Sequence, residues 1–241
     1  MIAVEQLSKR FAAVQALHAV SFAAQDGRIT GLLGANGAGK STTLRIVSTV
    51  LKADSGRALV DGHDCASEPL TVRRLLGVLP HASGLYPQLT ARENIRYYGR
   101  LHGLEDELVE RRIAEWSARL EMDETLDRRT HGFSHGQKLK VALARALVHA
   151  PRNVILDEPT SGLDVGATRA LREVIRGLKD SGCCVLFSSH IMQEVAALCD
   201  DIVIIARGTV VASGTPEEIL AASGANNLED AFVRLSDRAV A

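Results

Sequence analysis

Apolar residues along this chain follow two periods, and each period predicts its own kind of element. Short, almost unbroken apolar runs at residues 29–33, 76–80, 153–158 and 185–190 read as strands. The third, Asn153-Val154-Ile155-Leu156-Asp157-Glu158, ends in two acids, the form of a parallel strand buried on both faces whose carboxyl end opens onto a ligand crevice. Helical spacing predicts helices over 40–51, 90–101, 105–120, 138–147, 165–180 and 191–198, the second opening on Thr90 as a cap. Residues 2–11 and 16–25 read as strands of an antiparallel layer, with Asp26-Gly27 turning the chain into the strand at 29–33. Residues 201–206 and 209–213 read as a hairpin around Arg207-Gly208. From Ser223 the chain is rich in small residues before a short amphipathic segment at 228–235, to which the pattern assigns no role.

This order of elements predicts one α/β domain over residues 1–241. The core is expected from 1–80 and 151–222, with a helical subdomain inserted at 81–150 and a tail at 223–241. No internal repeat or low-complexity linker breaks the order, which speaks against a second fused copy.

Gly34-Ala35-Asn36-Gly37-Ala38-Gly39-Lys40-Ser41-Thr42 joins the strand at 29–33 to the helix after it and fits the pattern G-x-x-x-x-G-K-[ST]. Its glycines let the backbone curl so that successive N–H groups face phosphate oxygens, and the helix N-terminus adds partial positive charge. Lys40 would reach the β and γ phosphates of a nucleotide, and Ser41 would offer its hydroxyl to a magnesium ion on those phosphates. Asp157 is placed to hold the same ion, directly or through water. Glu158 points elsewhere and can take a proton from an attacking water. The fold class is then α/β, a P-loop NTPase core with an antiparallel β layer and an inserted helical subdomain. A phosphate loop alone leaves kinase, GTPase and transport ATPase open.

The segment Phe133-Ser134-His135-Gly136-Gln137 precedes an amphipathic helix and forms a second anion-seeking helix start, with Ser134 as cap and hydroxyl donor. With these residues the chain resembles the ATP-binding cassette (ABC) family, whose signature is written L-S-G-G-Q; Phe133 stands for the leucine and His135 for the first glycine. Thr160-Ser161-Gly162-Leu163-Asp164 resembles the family's D-loop. His190 stands at its switch histidine, which contacts the γ-phosphate and helps hold the attacking water. Phe11 sits where the family stacks an aromatic ring on adenine. The resemblance runs from about residue 2 to about residue 220, with the motifs in family order. Two positions depart from it. His81 stands where the family has a glutamine whose carbonyl touches magnesium and the attacking water, which makes it a candidate beside Ser41 and Asp157 at the metal, although imidazole nitrogen is a poor magnesium ligand. Gln88 lies too far along the loop to substitute. His135 puts a titratable ring at a phosphate-facing helix end.

The resemblance implies that two cassettes, this chain and a second copy or a homologue, bind head to tail around two ATP. Each ATP lies between one chain's phosphate loop and the other's signature. It implies hydrolysis of ATP to ADP and phosphate, with Lys40, Ser41 and Asp157 on phosphates and metal, Glu158 activating water, His190 supporting the transition state, and Ser134, His135, Gly136 and Gln137 acting on the partner's ATP beside Asp164 of the D-loop. Closure and opening would drive separate integral membrane permease subunits, with this chain cytoplasmic and peripheral on the inner face of the membrane. Within the family, residues 84–94 and the helix from Lys140 look most like bacterial exporter ATPases of the sodium-exporter or drug-exporter type. Two rivals are a soluble ABC protein acting on DNA or ribosomes and a P-loop kinase for a small molecule. The first usually carries two cassettes or a long coiled-coil insert; the second leaves residues 133–137 without a purpose.

Composition narrows the partners further. The 241 residues are 46% hydrophobic, enough to bury a substantial core. Only 4% are aromatic and the net charge is -1, which argues against a nucleic-acid partner. Cys65, Cys183, Cys184 and Cys199 lack metal-ligand spacing and are expected as reduced thiols in the cytosol. No apolar stretch approaches the roughly 18 residues that cross a bilayer, so a membrane path is expected from another polypeptide.

Overall fold

Strands that are apolar on both faces need cover on both sides, and the order of elements along the chain supplies it. The computed structural model describes residues 1–238. It begins with a hairpin of β1 (Ile2–Phe11) and β2 (Val14–Ala24), followed by β3 (Ile29–Leu33) and α1 (Lys40–Val47). Then come β4 (Ser55–Val60), β5 (His63–Asp64), α2 (Pro69–Leu75) and β6 (Leu76–Leu79). The helices α3 (Ala91–Leu101), α4 (Asp106–Leu120) and α5 (His135–Leu147) follow in succession. Next are β7 (Asn153–Asp157), α6 (Val165–Asp180), β8 (Cys184–Ser189) and α7 (Met192–Leu198). The chain closes with β9 (Asp201–Ala206), β10 (Thr209–Gly214), α8 (Pro216–Ser223) and α9 (Leu228–Arg238).

Two sheets result. One is antiparallel with order β2-β1-β4-β5; the other has order β10-β9-β3-β8-β7-β6 and is parallel except for its β10 edge. In the second sheet Leu33 pairs with Ser189 and Asp157 with Ser188, so β3, β7 and β8 end side by side. Side chains alternate across this sheet, as the pleat requires. Leu32, Ile155, Leu186 and Val203 pack toward α1 and the antiparallel layer. Leu33, Leu156, Phe187 and Ile204 join the core beneath the helices. Helices α3, α4 and α5 pack on one another, and α5 lies against β6.

Several ends differ from the sequence reading. Helix α1 stops at Val47 instead of running to residue 51, because Thr49 turns left-handed (φ 62°) and the amides of Val50 and Leu51 both bond back to the Arg45 carbonyl. Those two apolar residues only mimic the helical period. The cap expected at Ser134 is present, with Gln137 reciprocating, so α5 begins at His135, ahead of the periodic run at 138–147. Strands β4 and β5 and helices α2 and α8 had no counterpart in the sequence reading; the last two are short and open on Pro69 and Pro216. The expected turn at Arg207-Gly208 is present, with both residues at positive φ. The segment at 228–235 lies within α9, whose Leu228, Ala231 and Leu235 are buried in the core beside α7, β9 and β10. The last three residues of the expected tail, 239–241, lie outside the described residues.

All four cysteines are free. Burial pushes the Cys65 thiol up to about 12 and Cys184 to about 11, and raises Cys199 as well, so these three pack and do not react. Among the described residues no helix is long and apolar enough to cross a membrane. Phe187 is fully buried at the centre of β8. Phe187→Ala is expected to cost about 3–5 kcal/mol, read as a lower urea midpoint with an unchanged slope. A loss under about 1 kcal/mol would contradict this packing.

Candidate active site

The loop between β3 and α1 is pressed against its neighbours as it curls. Gly39 lies at φ 113°, and a Cβ there would come within 2.7 Å of Leu17 Cδ2 and 2.9 Å of the Ala16 carbonyl on β2, so only glycine fits. Ala35, Asn36 and Gly37 at the crest are exposed, while Gly34, Ala38 and Gly39 are buried. Lys40 opens α1 and is only 4% exposed. Its Nζ donates to the carbonyls of Gly34 (2.6 Å) and Ala35 (3.2 Å), which holds the ammonium at the mouth of the loop. Ser41 is exposed on the first turn, with Thr42 half-buried beside it.

At the end of β7 two consecutive acids meet different surroundings. Asp157 Oδ1 accepts a hydrogen bond from Ser188 Oγ at 2.7 Å and lies 3.5 Å from Ser41 Oγ. Among the described residues no cationic side chain pairs with it. A carboxylate and a hydroxyl side by side suit a hard divalent cation. No cluster of three or more His, Cys, Asp or Glu that could hold a metal ion is assembled among the described residues. Glu158 turns left-handed (φ 50°), and its amide bonds to the Ser188 carbonyl (3.2 Å) and hydroxyl (3.0 Å). That turn sends its carboxylate to a ring of nitrogens. Lys40 Nζ is 3.5 Å from Oε1, His190 Nδ1 is 3.2 Å from Oε2, and His81 Nδ1 is 4.0 Å from Oε2. Residues from four distant segments therefore meet at one carboxylate.

Three supporting residues escaped the sequence reading. Ser188 holds both Asp157 and the Glu158 amide. Glu194, buried on α7, accepts from Thr160 Oγ1 at 2.5 Å and from Ser189 Oγ at 3.1 Å, while Ser189 Oγ accepts the Ile191 amide. It thereby pins the segments that come after Glu158 and flank His190. Arg145, buried on α5, donates to the carbonyls of Ser83 (2.6 Å) and Gly84 (2.8 Å) and fixes the loop that carries His81. The signals were faint but present: two hydroxyls at the end of an apolar strand, and an acid one turn before Leu198 on the apolar side of a helix.

The remaining predicted residues lie apart from this centre. Ser134 is exposed; its Oγ accepts the Gln137 amide at 3.2 Å, and Gln137 Oε1 accepts the Ser134 amide at 3.0 Å. Capping uses an oxygen lone pair and leaves the hydroxyl hydrogen free to donate. His135 Nε2 lies 2.9 Å from the Ser161 carbonyl, and Gly136 follows it in the first turn of α5. Asp164 caps α6 by accepting the Ala167 amide at 2.8 Å. Among the described residues no hydrogen bond or ion pair joins residues 134–137 to the loop at 34–42. Phe11 stands 46% exposed at the end of the hairpin whose second strand presses on Gly39, with Lys9 Nζ 5.6 Å from its ring centre.

Comparison with known proteins identifies the family. Residues 17–161 match the family model described as ABC transporter. The chain is 41% identical over 238 residues to the ABC transporter ATP-binding protein NatA of Bacillus subtilis (strain 168), covering 97% of each chain. It is 34% identical to the linearmycin resistance ATP-binding protein LnrL of the same organism, covering 95% of this chain and 73% of that one. A solved structure of the ATP-binding subunit of an ABC transporter superposes with a TM-score of 0.92 at 32% identity, covering 98% of this chain and 99% of that one. The chain therefore belongs to the ABC transporter family, as an ATP-binding subunit.

Proposed function

We propose that this ATPase powers an exporter by closing around two ATP with a second cassette and opening after hydrolysis, at the inner face of a membrane whose permease subunits are separate chains. The observation that carries the catalytic part is the convergence of Lys40, His190 and His81 on the Glu158 carboxylate, one residue beyond Asp157. In this reading the amides of residues 34–42 and the Lys40 ammonium hold the β and γ phosphates, and Phe11 stacks on adenine. Asp157 and Ser41 hold Mg2+, which when bound neutralises charge on the terminal phosphates. Glu158 takes the proton of the attacking water, and His190, in contact with the same carboxylate, keeps base and water aligned. His81 is placed on the base side of the site, because its Nδ1 lies 4.0 Å from the Glu158 carboxylate and imidazole suits magnesium poorly.

The head-to-tail arrangement is supported by the lack of any bond between residues 134–137 and the loop at 34–42 among the described residues. The two anion-seeking helix starts of one chain serve different nucleotides. The division into a core at 1–80 and 151–222 and a helical subdomain at 81–150 is supported by the mutual packing of α3, α4 and α5. For the cargo we propose the classes of the exporter resemblance, sodium ions or a drug-like compound. The second is supported by likeness to a protein named for linearmycin resistance.

Mixed dimers test the arrangement. Ser134→Arg damages the half-site that acts on the partner's ATP, and Glu158→Gln damages the chain's own. Mixing the two inactive variants gives dimers with one doubly damaged site and one intact site, so part of the hydrolysis is expected to return. Demonstrated mixed dimers no more active than either variant would rule out the head-to-tail arrangement. Lys40→Ala is expected to weaken ATP binding at least tenfold, roughly the loss of one charge-assisted contact, while adenosine binding stays within about twofold. Equal loss of both ligands by calorimetry would remove Lys40 from the phosphates.

A further inference from the structure

His135, in the first turn of α5, sends its side chain to a different segment of the chain. Its Nε2 lies 2.9 Å from the carbonyl of Ser161. A carbonyl only accepts, so the ring carries its hydrogen on Nε2. The neighbouring Gly162 sits at φ 74°, and a Cβ there would lie 3.5 and 3.6 Å from the ring atoms Cδ2 and Nε2, so the imidazole packs over the loop as well as bonding to it. The amide of Ser161 in turn donates to the Glu158 carbonyl at 3.2 Å. The Ser161 residue is therefore held at both ends, by the helix start on one side and by the catalytic strand on the other. Glu158 already occupies a left-handed conformation that L-residues adopt at a cost, so its orientation depends on how the next few residues are held. Thr160 is fixed independently by Glu194, which leaves the His135 bond as the side-chain tie on Ser161.

We propose that His135 is a positioning residue that couples the two nucleotide sites: it ties the nucleotide-facing end of α5 through Ser161 to Glu158 of the same chain. When the partner's ATP settles on Ser134 and the first amides of α5, the imidazole transmits that placement to Ser161 and steadies the Glu158 carboxylate for the chain's own ATP. A glycine at this position has no side chain with which to do so. The proposal rests on the reading that α5 acts on the partner's nucleotide and that Glu158 is the base.

The test compares His135→Leu, which keeps bulk and loses the donor, with His135→Gln, whose amide donates from a similar reach. The ring is exposed, so both variants are expected to fold. With the full chain and MgATP, His135→Leu is expected to lower kcat about tenfold with KM within about twofold, the cost of one orienting hydrogen bond. His135→Gln is expected to recover most of that rate, and only the leucine variant should lose steepness in the dependence of rate on ATP concentration. Unchanged kcat in His135→Leu, a loss confined to KM, or an equal fall in His135→Gln would each overturn the coupling role. Ser134→Ala, measured alongside, separates the two levels. If it slows hydrolysis while His135→Leu does not, the relay falls and the signature reading stands; if neither slows hydrolysis, the signature reading falls as well.

Discussion

The acidic end of β7 is the constraint on which the rest of the molecule depends. A strand with apolar side chains on both faces can hold carboxylates only where it leaves the sheet, and Asp157 and Glu158 stand at that edge. Two acids in adjacent positions would repel if they shared one environment. The fold separates them by turning Glu158 left-handed, which leaves Asp157 among hydroxyls and sends Glu158 among nitrogens. One backbone turn thus gives the two acids different surroundings, the division that the proposed metal and base roles require.

Holding that division takes a polar shell that is itself satisfied. Ser188 serves both acids at once, from its hydroxyl and its carbonyl. Glu194 collects the hydroxyls of Thr160 and Ser189, so the segment after β7 and the end of β8 share one buried acceptor. Arg145 reaches from α5 to the loop of His81, and His135 reaches from the start of α5 to Ser161. Helix α5 therefore touches the surroundings of Glu158 from both of its ends. Buried polar groups of this kind are costly when left unpaired, which favours one arrangement over many.

Much of this was legible in the sequence, for physical reasons that can be named. The strands 29–33 and 153–157 declared themselves because burial on both faces forces an unbroken apolar run. The cap at Ser134 was legible because it comes directly from residue type at a helix start. The end of α1 was not, because Val50 and Leu51 extend the apolar period past a turn made by Thr49. Strand β4 opens on exposed polar residues and pairs along its length with the distant β1, while β5 is only two residues long and meets β4 across Asp61-Gly62, so the apolar period marks neither. Ser188, Glu194 and the Ser161 contact of His135 are products of tertiary placement. The phosphate loop and the acids were visible as motifs, while the groups that orient them were not.

Glu158 acting as the base is the central claim, and one substitution tests it most directly. Glu158→Gln keeps the shape of the side chain and removes its charge, and the measurement is ATP turnover beside ATP binding in the same preparation. The expected result is binding within about threefold of the unaltered protein and turnover lower by about 10² or more. Turnover close to that of the unaltered protein would mean that the proton goes elsewhere and that the ring of nitrogens around Glu158 serves another purpose.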